Sequence, residues 1–148
     1  MDMEKLTELK RRVDAATRPD RELDALLWAM ADKRDVEIVS NALYAKHREP
    51  PHDVCVLGWI DPGKHRRNFS MAAFSPPIPS YTASIDAALE LVGRVLPGKR
   101  RVILYTNPAH AEICKIGDWE GEQSADKDFT PPLAILSALL AALIAEGE

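Results

Sequence analysis

The residues of this chain that could do chemistry include two histidine–cysteine pairs, His52-x-x-Cys55 and His110-x-x-x-Cys114. Two imidazoles and two thiolates are a ligand set that binds zinc tetrahedrally. His52 and Cys55 would point to opposite faces of one strand, and neither spacing matches a familiar zinc motif. We therefore expect no metal and no cofactor, with both cysteines packed as small apolar residues.

Nucleophilic catalysis needs a hydroxyl or thiol beside an activating base. The sequence contains neither a Gly-x-Ser-x-Gly elbow nor a Walker loop. Carboxylates are frequent over 118–128, but Gly117 to Asp128 is acidic and rich in turn residues, which predicts a surface loop. Acid–base catalysis needs a fixed, partly desolvated carboxyl. The sequence therefore predicts that the chain is not an enzyme. A small hydrolase or metal enzyme is kept as an alternative, ranked below the nucleic-acid contact described next.

Two basic clusters, at 64–67 and 99–101, could contact the phosphates of a nucleic acid, and Trp59 and Phe69 flank the first of them. Basic loops beside aromatic side chains can hold a phosphate backbone and stack bases. The same charges also suit a solvated hairpin tip, where they block pairing with another edge. The candidate contact residues are Lys64, Arg66, Arg67, Arg100 and Arg101.

Charge is distributed unevenly along the 148 residues, whose net charge is −4. Residues 51–110 carry 7 basic and 4 acidic side chains, and residues 111–148 carry 2 basic and 8 acidic ones. Trp119, in the acidic part, could anchor a partner or pin its own loop. The acidic balance argues against a general nucleic-acid binder, and 46% apolar residues argue against disorder. The absence of a long apolar run or secretory signal predicts a cytoplasmic protein with no membrane partner.

Apolar residues three and four positions apart predict helices in the first third, the middle and the last part of the chain. The first three stripes begin at Leu6, Leu23 and Ile85, and Ser84 is a suitable N-cap for the third. Residues 35–48 fit either a helix or a strand, and we favour the helix. Short β-branched runs predict strands at 54–60, 69–74, 102–105 and 111–116, the last two joined as a hairpin.

This order of elements predicts the α+β class, with a small, mostly antiparallel sheet layered between helices as an α-β-α sandwich. A chain of this length is sized for a single domain, 1–148. The segment 34–78 holds an additional strand pair and many of the prolines. We therefore expect it to be an insertion into a smaller core.

The last helix begins after Thr130, a candidate cap, and is apolar on all sides over 133–145. It is too short to span a membrane, so we expect either a buried core helix or an oligomer interface. Leucines form the face expected to cover the sheet, and small residues form another. A second copy packing closely against the small residues would give a homodimer. Those residues are Ala134, Ala138, Ala141 and Ala145.

Three stretches carry a family resemblance: Arg-Pro-Asp-Arg-Glu-Leu-Asp-Ala at 18–25, Pro-Ser-Tyr-Thr-Ala-Ser-Ile-Asp-Ala-Ala at 79–88, and Phe-Thr-Pro-Pro-Leu-Ala-Ile at 129–135. Together they resemble the phage ABA sandwich domain family of small phage and prophage proteins, over 4–33 and 79–145. The resemblance implies helix layers enclosing a sheet. It brings no catalytic motif that could be carried over to positions of this chain.

The resemblance and the lack of an assembled catalytic constellation predict a non-enzymatic accessory protein, encoded by a phage or prophage and located in the cytoplasm of a bacterial host. We expect it to act by binding another macromolecule, with a protein partner favoured and counter-defence as one use of such a module. Direct contact with nucleic acid through 64–67 and 99–101 is the alternative.

Overall fold

The computed structural model describes residues 3–63, 67–118 and 120–147, and within these residues the chain forms four helices and seven strands. In chain order they are α1 (Met3–Ala15), α2 (Arg21–Ala31), β1 (Arg34–Val39), β2 (Ala42–His47), β3 (Val54–Pro62), β4 (Arg67–Met71), α3 (Ile85–Val95), β5 (Arg100–Thr106), β6 (Ala109–Lys115), β7 (Glu122–Gln123) and α4 (Pro131–Gly147).

The elements group into two compact units. The terminal unit combines Met1–Asp20 with Ser80–Glu148, and the central unit is Arg21–Pro79. The predicted α+β class is confirmed, since each unit has an antiparallel sheet with helical packing against it. The strands form two sheets where one was expected. The segment 34–78, predicted to be an insertion, falls inside the central unit together with α2.

The central unit is built on a four-stranded sheet, in the order β1-β2-β3-β4, with α2 packed against one face. Gly58 on β3 is a point of close approach: a Cβ there would lie 2.3 Å from the Ser70 carbonyl oxygen and 2.5 Å from the Phe69 ring. The absence of a side chain at Gly58 thus lets β4 and its aromatic ring pack closely. The core residues are Ala25, Ala29, Leu43, Ala45, Leu57, Ile60 and Ile78.

The helix favoured at 35–48 is wrong, because β1 and β2 form an antiparallel hairpin there. Ser40 and Asn41 form its turn with φ values of 50° and 67°. Positive φ at both central residues is what a two-residue hairpin turn of type I′ requires. Val36 and Leu43 contribute to the core beside α2 from two neighbouring strands. Their spacing of seven residues therefore imitates the spacing along a helix.

Helix α4 is the centre of the terminal unit. It contacts all three strands of the β5-β6-β7 sheet as well as α1 and α3. The run from Pro132 to Leu140 is buried, so α4 is a core helix, one of the two predicted options. Within that run Ser137 Oγ donates to Asp14 Oδ1 of α1 at 2.6 Å and accepts from the Ala125 amide at 3.0 Å. These bonds tie α1 and the segment before α4 to the core helix.

The predicted N-cap of α3 is confirmed, because Ser84 Oγ accepts a hydrogen bond from the Ala87 amide at 3.1 Å. The side-chain cap predicted at Thr130 is wrong. Thr130 Oγ1 is buried and has no hydrogen-bond partner within the described part of the chain. Its carbonyl accepts from the Ala134 amide at 3.0 Å, which is the first backbone bond of α4.

Candidate functional site

The first predicted basic cluster falls only partly within the described residues, because Lys64 and Arg66 lie outside them. Arg67 begins β4, and its guanidinium Nη2 lies 3.1 Å from Oε2 of Glu22, a buried residue of α2. A carboxylate of its own unit therefore compensates the charge of Arg67. Arg67 offers a phosphate group less net positive charge than the sequence suggested.

The second basic cluster begins β5 in the terminal unit. The Arg100 guanidinium donates to the Pro97 carbonyl at 3.1 Å and to Glu146 Oε1 at 3.0 Å. The bond from Arg100 holds the pKa of the Glu146 carboxyl below its ordinary value. Arg101 donates to the Asp118 carbonyl at 3.0 Å. Both arginines therefore tie segments of the terminal unit to one another.

The small-residue face predicted for self-association is largely covered by the chain itself. Ala134 and Ala138 are fully buried, Ala141 is half-buried and Ala145 is exposed. Helices α1 and α3 of the same chain pack against α4, so a second copy cannot reach the buried alanines in this fold. The prediction that a second copy packs closely against all four alanines of α4 is therefore wrong. Trp119 lies outside the described residues.

A surface that the sequence analysis missed lies on the four-stranded sheet, on the face opposite α2. Strand residues alternate between the two faces, so the cross-strand register shows which side chains share this surface. It aligns apolar residues from β1, β2 and β3 in neighbouring rows. We call this surface the outer face; its apolar residues are Val39, Ala42, Tyr44, Val54, Val56 and Trp59, and the register also places Glu37 opposite Tyr44 and Lys46 opposite Val54.

Strand β3 explains why the outer face is apolar. Its run 54–60 places apolar residues on both sides of the sheet, which is typical of a strand covered on both faces. Only the side toward α2 is covered to that extent, because Val39, Val54 and Trp59 remain 48%, 56% and 47% exposed. The run is visible in the sequence. Which of its members point outward depends on the bulge between Leu43 and Tyr44, which shifts the register.

The three-stranded sheet carries a hydrogen-bonded polar group on the face of β6 that alternates with buried Ala111 and Ile113. Ser124 Oγ accepts from the Ala111 amide at 3.0 Å and lies within hydrogen-bond distance, 2.9 Å, of Nδ1 of His110. The other ring nitrogen, Nε2 of His110, lies 3.1 Å from Oε1 of Gln123. The imidazole is therefore held at both ring nitrogens.

The same polar group continues along β6 from Gln123. Its Nε2 donates to Glu112 Oε2 at 3.0 Å, and the Cys114 thiol donates to Glu112 Oε1 at 3.1 Å. We call the group the polar face; its residues are His110, Glu112, Cys114, Gln123 and Ser124. Glu112 and Cys114 share one side of β6 because they are two residues apart in the strand. The sequence analysis did not predict that they meet Gln123 and Ser124 of the acidic segment.

The polar face is arranged as a structural network and not as a nucleophile site. Burial, together with the bond to Glu112, raises the pKa of the Cys114 thiol, so the reactive thiolate is disfavoured. Ser124 is only 5% exposed, and its oxygen already accepts from the Ala111 amide. Covalent catalysis needs an accessible, activated nucleophile. Among residues 3–63, 67–118 and 120–147, no three His, Cys, Asp or Glu residues are grouped so that they could hold a metal ion.

Comparison of the chain with protein-family models, with curated proteins and with solved structures finds no match. The resemblance to the phage ABA sandwich family therefore stays a prediction. Among the helices of the described residues, none is long and apolar enough to cross a membrane.

Proposed function

We propose that this chain is a non-enzymatic protein that acts by binding another protein through the outer face of the four-stranded sheet. The observation that carries the proposal is the group of apolar side chains on that face: Val39, Val54 and Trp59 are exposed, and Tyr44, in the row next to Trp59, is half-buried. Covering such a group with a partner removes apolar surface from water, and this lowers the free energy of the complex.

The composition of the outer face fits a protein partner. Tryptophan and tyrosine supply much of the binding energy at protein interfaces, since they bury a large area at a low cost in conformational entropy. Val39 and Val54 add side chains that are already stiff at χ1. Glu37, Lys46 and Asp61 are exposed on the same side of the sheet and supply charged groups beside the apolar ones. An apolar centre with a polar rim is the usual anatomy of such interfaces.

The biological setting in this proposal comes from the family resemblance. A phage- or prophage-encoded accessory protein would meet its partner inside a bacterial host, and counter-defence would require the partner to be a host defence component. The polar face supports the non-enzymatic part of the proposal, because its thiol and hydroxyl are buried and occupied.

The experiment is affinity capture from a bacterial host lysate, with and without nuclease, followed by affinity measurement on the purified captured protein. Trp59→Ala should weaken binding by about 30-fold, as expected for an aromatic anchor contributing about 2 kcal/mol. Phe74→Ala is the matched control, because Phe74 is 98% exposed in the same unit but follows β4 and is not on the outer face. Circular dichroism of both variants verifies the fold.

The proposal is supported only if capture survives nuclease and depends on Trp59 but not on Phe74. Capture that is equal for both variants would contradict it. Robust turnover of a substrate by the purified protein would contradict its non-enzymatic part.

Nucleic-acid binding is a second candidate, favoured by one observation: exposed Trp59 lies on the same β3–β4 hairpin as the basic sequence 64–67. Stacking on an aromatic side chain next to basic residues is a common mode of single-strand binding. This candidate predicts that affinity for a labelled single-stranded oligonucleotide falls steeply with salt, because phosphate contacts release counterions. Loss of all captured material on nuclease treatment would favour it over a protein partner, and no binding at low salt would remove it.

A further inference from the structure

The outer edge of β5 is an open hydrogen-bonding edge. In the sheet order β5-β6-β7, the described residues place no strand beside β5 on the side away from β6. Ala111 of β6 directs both backbone groups toward the segment of β7: its amide donates to Ser124 Oγ, and its carbonyl accepts from the Ser124 amide at 2.9 Å. Its partner in the β5–β6 register is Leu104.

The direction of the Ala111 groups determines which groups of β5 are free. In an antiparallel pair, residues opposite each other either exchange both backbone bonds or direct both groups away. Leu104 therefore directs its amide and carbonyl away from β6, and by alternation Val102 and Thr106 do the same. These three residues present a regular ladder of donors and acceptors at the open edge, and the described part of the chain supplies no partner for it.

The side chains of β5 do not protect this edge. Residues 102–106 are Val-Ile-Leu-Tyr-Thr, without a charge, a proline or a glycine. The charges of β5, Arg100 and Arg101, lie only at its start, whereas β1 has Asp35 and Glu37 along its length and β7 has two residues, one of them charged. Long uncharged edges are uncommon in folded proteins unless something pairs with them.

We infer that β5 pairs antiparallel with β5 of a second copy of this chain, about a two-fold axis at Ile103. Ile103 is the midpoint of Arg100–Thr106, so this register overlaps the whole strand. It sets Val102 opposite Leu104 and Arg100 opposite Thr106 as hydrogen-bonded pairs. The free groups identified above are the ones that this register requires. The two three-stranded sheets become one continuous sheet of six strands.

The charges of β5 favour the antiparallel orientation when two copies pair. Both arginines lie at the start of the strand. Antiparallel pairing sets Arg101 opposite Tyr105, so no arginine faces an arginine, whereas parallel pairing would align like charges along the edge. The pairing needs no movement of α4, whose alanines are buried in the same chain. It also uses neither the outer face nor Trp59, so it is independent of the proposed function.

The first measurement is sedimentation equilibrium of the full chain over a wide concentration range. A single edge pairing buries less surface than a permanent dimer interface, so we expect a dimer that dissociates at micromolar concentrations. Ile103→Lys should weaken dimerisation by about tenfold or more, because two lysines would then face each other across the axis. Within one chain the new lysine would lie opposite Glu112, which favours the fold of the monomer.

Ile116→Lys is the matched control, because Ile116 is 65% exposed in the same unit and lies beyond the end of β6. It adds the same charge and should leave dimerisation unchanged. A separate test is Ile103→Cys with mild oxidation by molecular oxygen. Residues that face each other without exchanging backbone bonds have Cα atoms about 4.5 Å apart, within the range for a disulfide. We expect a covalent dimer from Ile103→Cys and none from Ile116→Cys.

A wild-type chain that remains monomeric up to about millimolar concentration would overturn the inference, since edge pairing would then be weaker than about 4 kcal/mol. Dimerisation that Ile103→Lys and Ile116→Lys affect equally would also overturn it. In both cases protein capture through Trp59 could still succeed, so failure here is distinguishable from failure of the proposed function.

Discussion

The two sheets of this protein leave their apolar groups exposed in different places. The four-stranded sheet of the central unit exposes a face, built from side chains such as Val39, Val54 and Trp59, while its edge strands β1 and β4 carry charges. The three-stranded sheet of the terminal unit bonds polar side chains to one another on the side of β6 away from Ala111 and Ile113, and its edge along β5 is uncharged over residues 102–106.

This difference determines what each sheet can bind. An exposed face offers side chains, so it suits the surface of a folded partner and owes its specificity to shape and to aromatic anchors. An exposed edge offers backbone donors and acceptors, so it suits another extended strand. The two sheets therefore predict two separable contacts, and substitutions can break them one at a time.

The largest effect on stability is expected at the glycines where each sheet has a close backbone approach. A Cβ at Gly121 would lie 2.1 Å from the Ile113 carbonyl oxygen and 2.7 Å from Cys114 Sγ, beneath the polar face. Gly121→Ala should lower the free energy of unfolding by about 3 kcal/mol or more, because backbone atoms cannot move aside cheaply. Urea unfolding followed by circular dichroism measures the change.

Gly93→Ala is the matched control for that measurement. Gly93 lies within α3, and nothing lies within 4 Å of the position its Cβ would take. Alanine there should raise the free energy of unfolding by about 0.5–1 kcal/mol, since glycine is the poorer helix former. Equal effects of the two substitutions would show that the close approach at Gly121 is unimportant. Gly58→Ala should behave like Gly121→Ala in the central unit.

The next largest effect compares a serine on each sheet. Ser124→Ala removes the acceptor of the Ala111 amide and the hydrogen-bond partner of His110 Nδ1, in a buried position. We expect a loss of about 1–3 kcal/mol in the free energy of unfolding, since a buried donor is left unpaired. Ser70→Ala, at an exposed position on the outward side of β4, should change it by less than about 0.5 kcal/mol. If Ser124→Ala changed the free energy of unfolding as little as Ser70→Ala, the polar face would not contribute to stability.

The two cysteines give a smaller, kinetic comparison. Burial raises the pKa of both thiols, Cys55 in the central unit and Cys114 in the terminal unit. Cys114 is fully buried and Cys55 only partly. At pH 8 we expect iodoacetamide to modify Cys55 first, and Cys114 only when the terminal unit opens, with both slower than in the denatured chain. Peptide mass spectrometry over time measures this order, and faster modification of Cys114 would contradict its placement.

The smallest effect is electrostatic and similar in both units. Hydrogen bonds from arginine lower the pKa of Asp53, beside Arg34, and of Glu146, beside Arg100. A carboxyl whose pKa is lower in the folded state stabilises the fold above its unfolded pKa and loses this contribution as the pH falls through the folded value. Asp53→Asn and Glu146→Gln should therefore lower stability slightly at pH 7 and leave it unchanged near pH 2. Thermal unfolding of the variants between pH 2 and pH 7 tests this pH dependence. A larger loss of stability at pH 2 than at pH 7 would contradict it.

Much of the fold was predictable because its signals are local. The stripe Leu6, Leu9 and Val13 is buried along α1 as its spacing predicts, and Ser84 caps α3. The runs at 54–60 and 102–105 lie within β3 and β5. The hairpin at β1 and β2 was missed because its turn depends on positive φ at Ser40 and Asn41, and neither residue type requires that conformation.

The candidate sites were less predictable, because they depend on residues that are distant in the sequence. The sequence favours Arg67 as a phosphate ligand. In the fold Glu22 compensates its charge, and the two residues meet only because α2 packs against the sheet. The acidic segment 117–128 was expected to be a surface loop, yet it includes β7 and buried Ser124. Nothing in the spacing of His110 and Ser124 along the chain indicates that they meet.

The sequence by itself determined the α+β class and the position of most helices and strands, because periodicity, capping and turn chemistry act over a few residues. Only the tertiary structure decided which apolar side of β3 stays exposed, which arginines are neutralised and which edge of β5 is open. Those properties follow from register and from the packing of one element against another, and the free energy of such contacts is shared between segments that no local pattern connects.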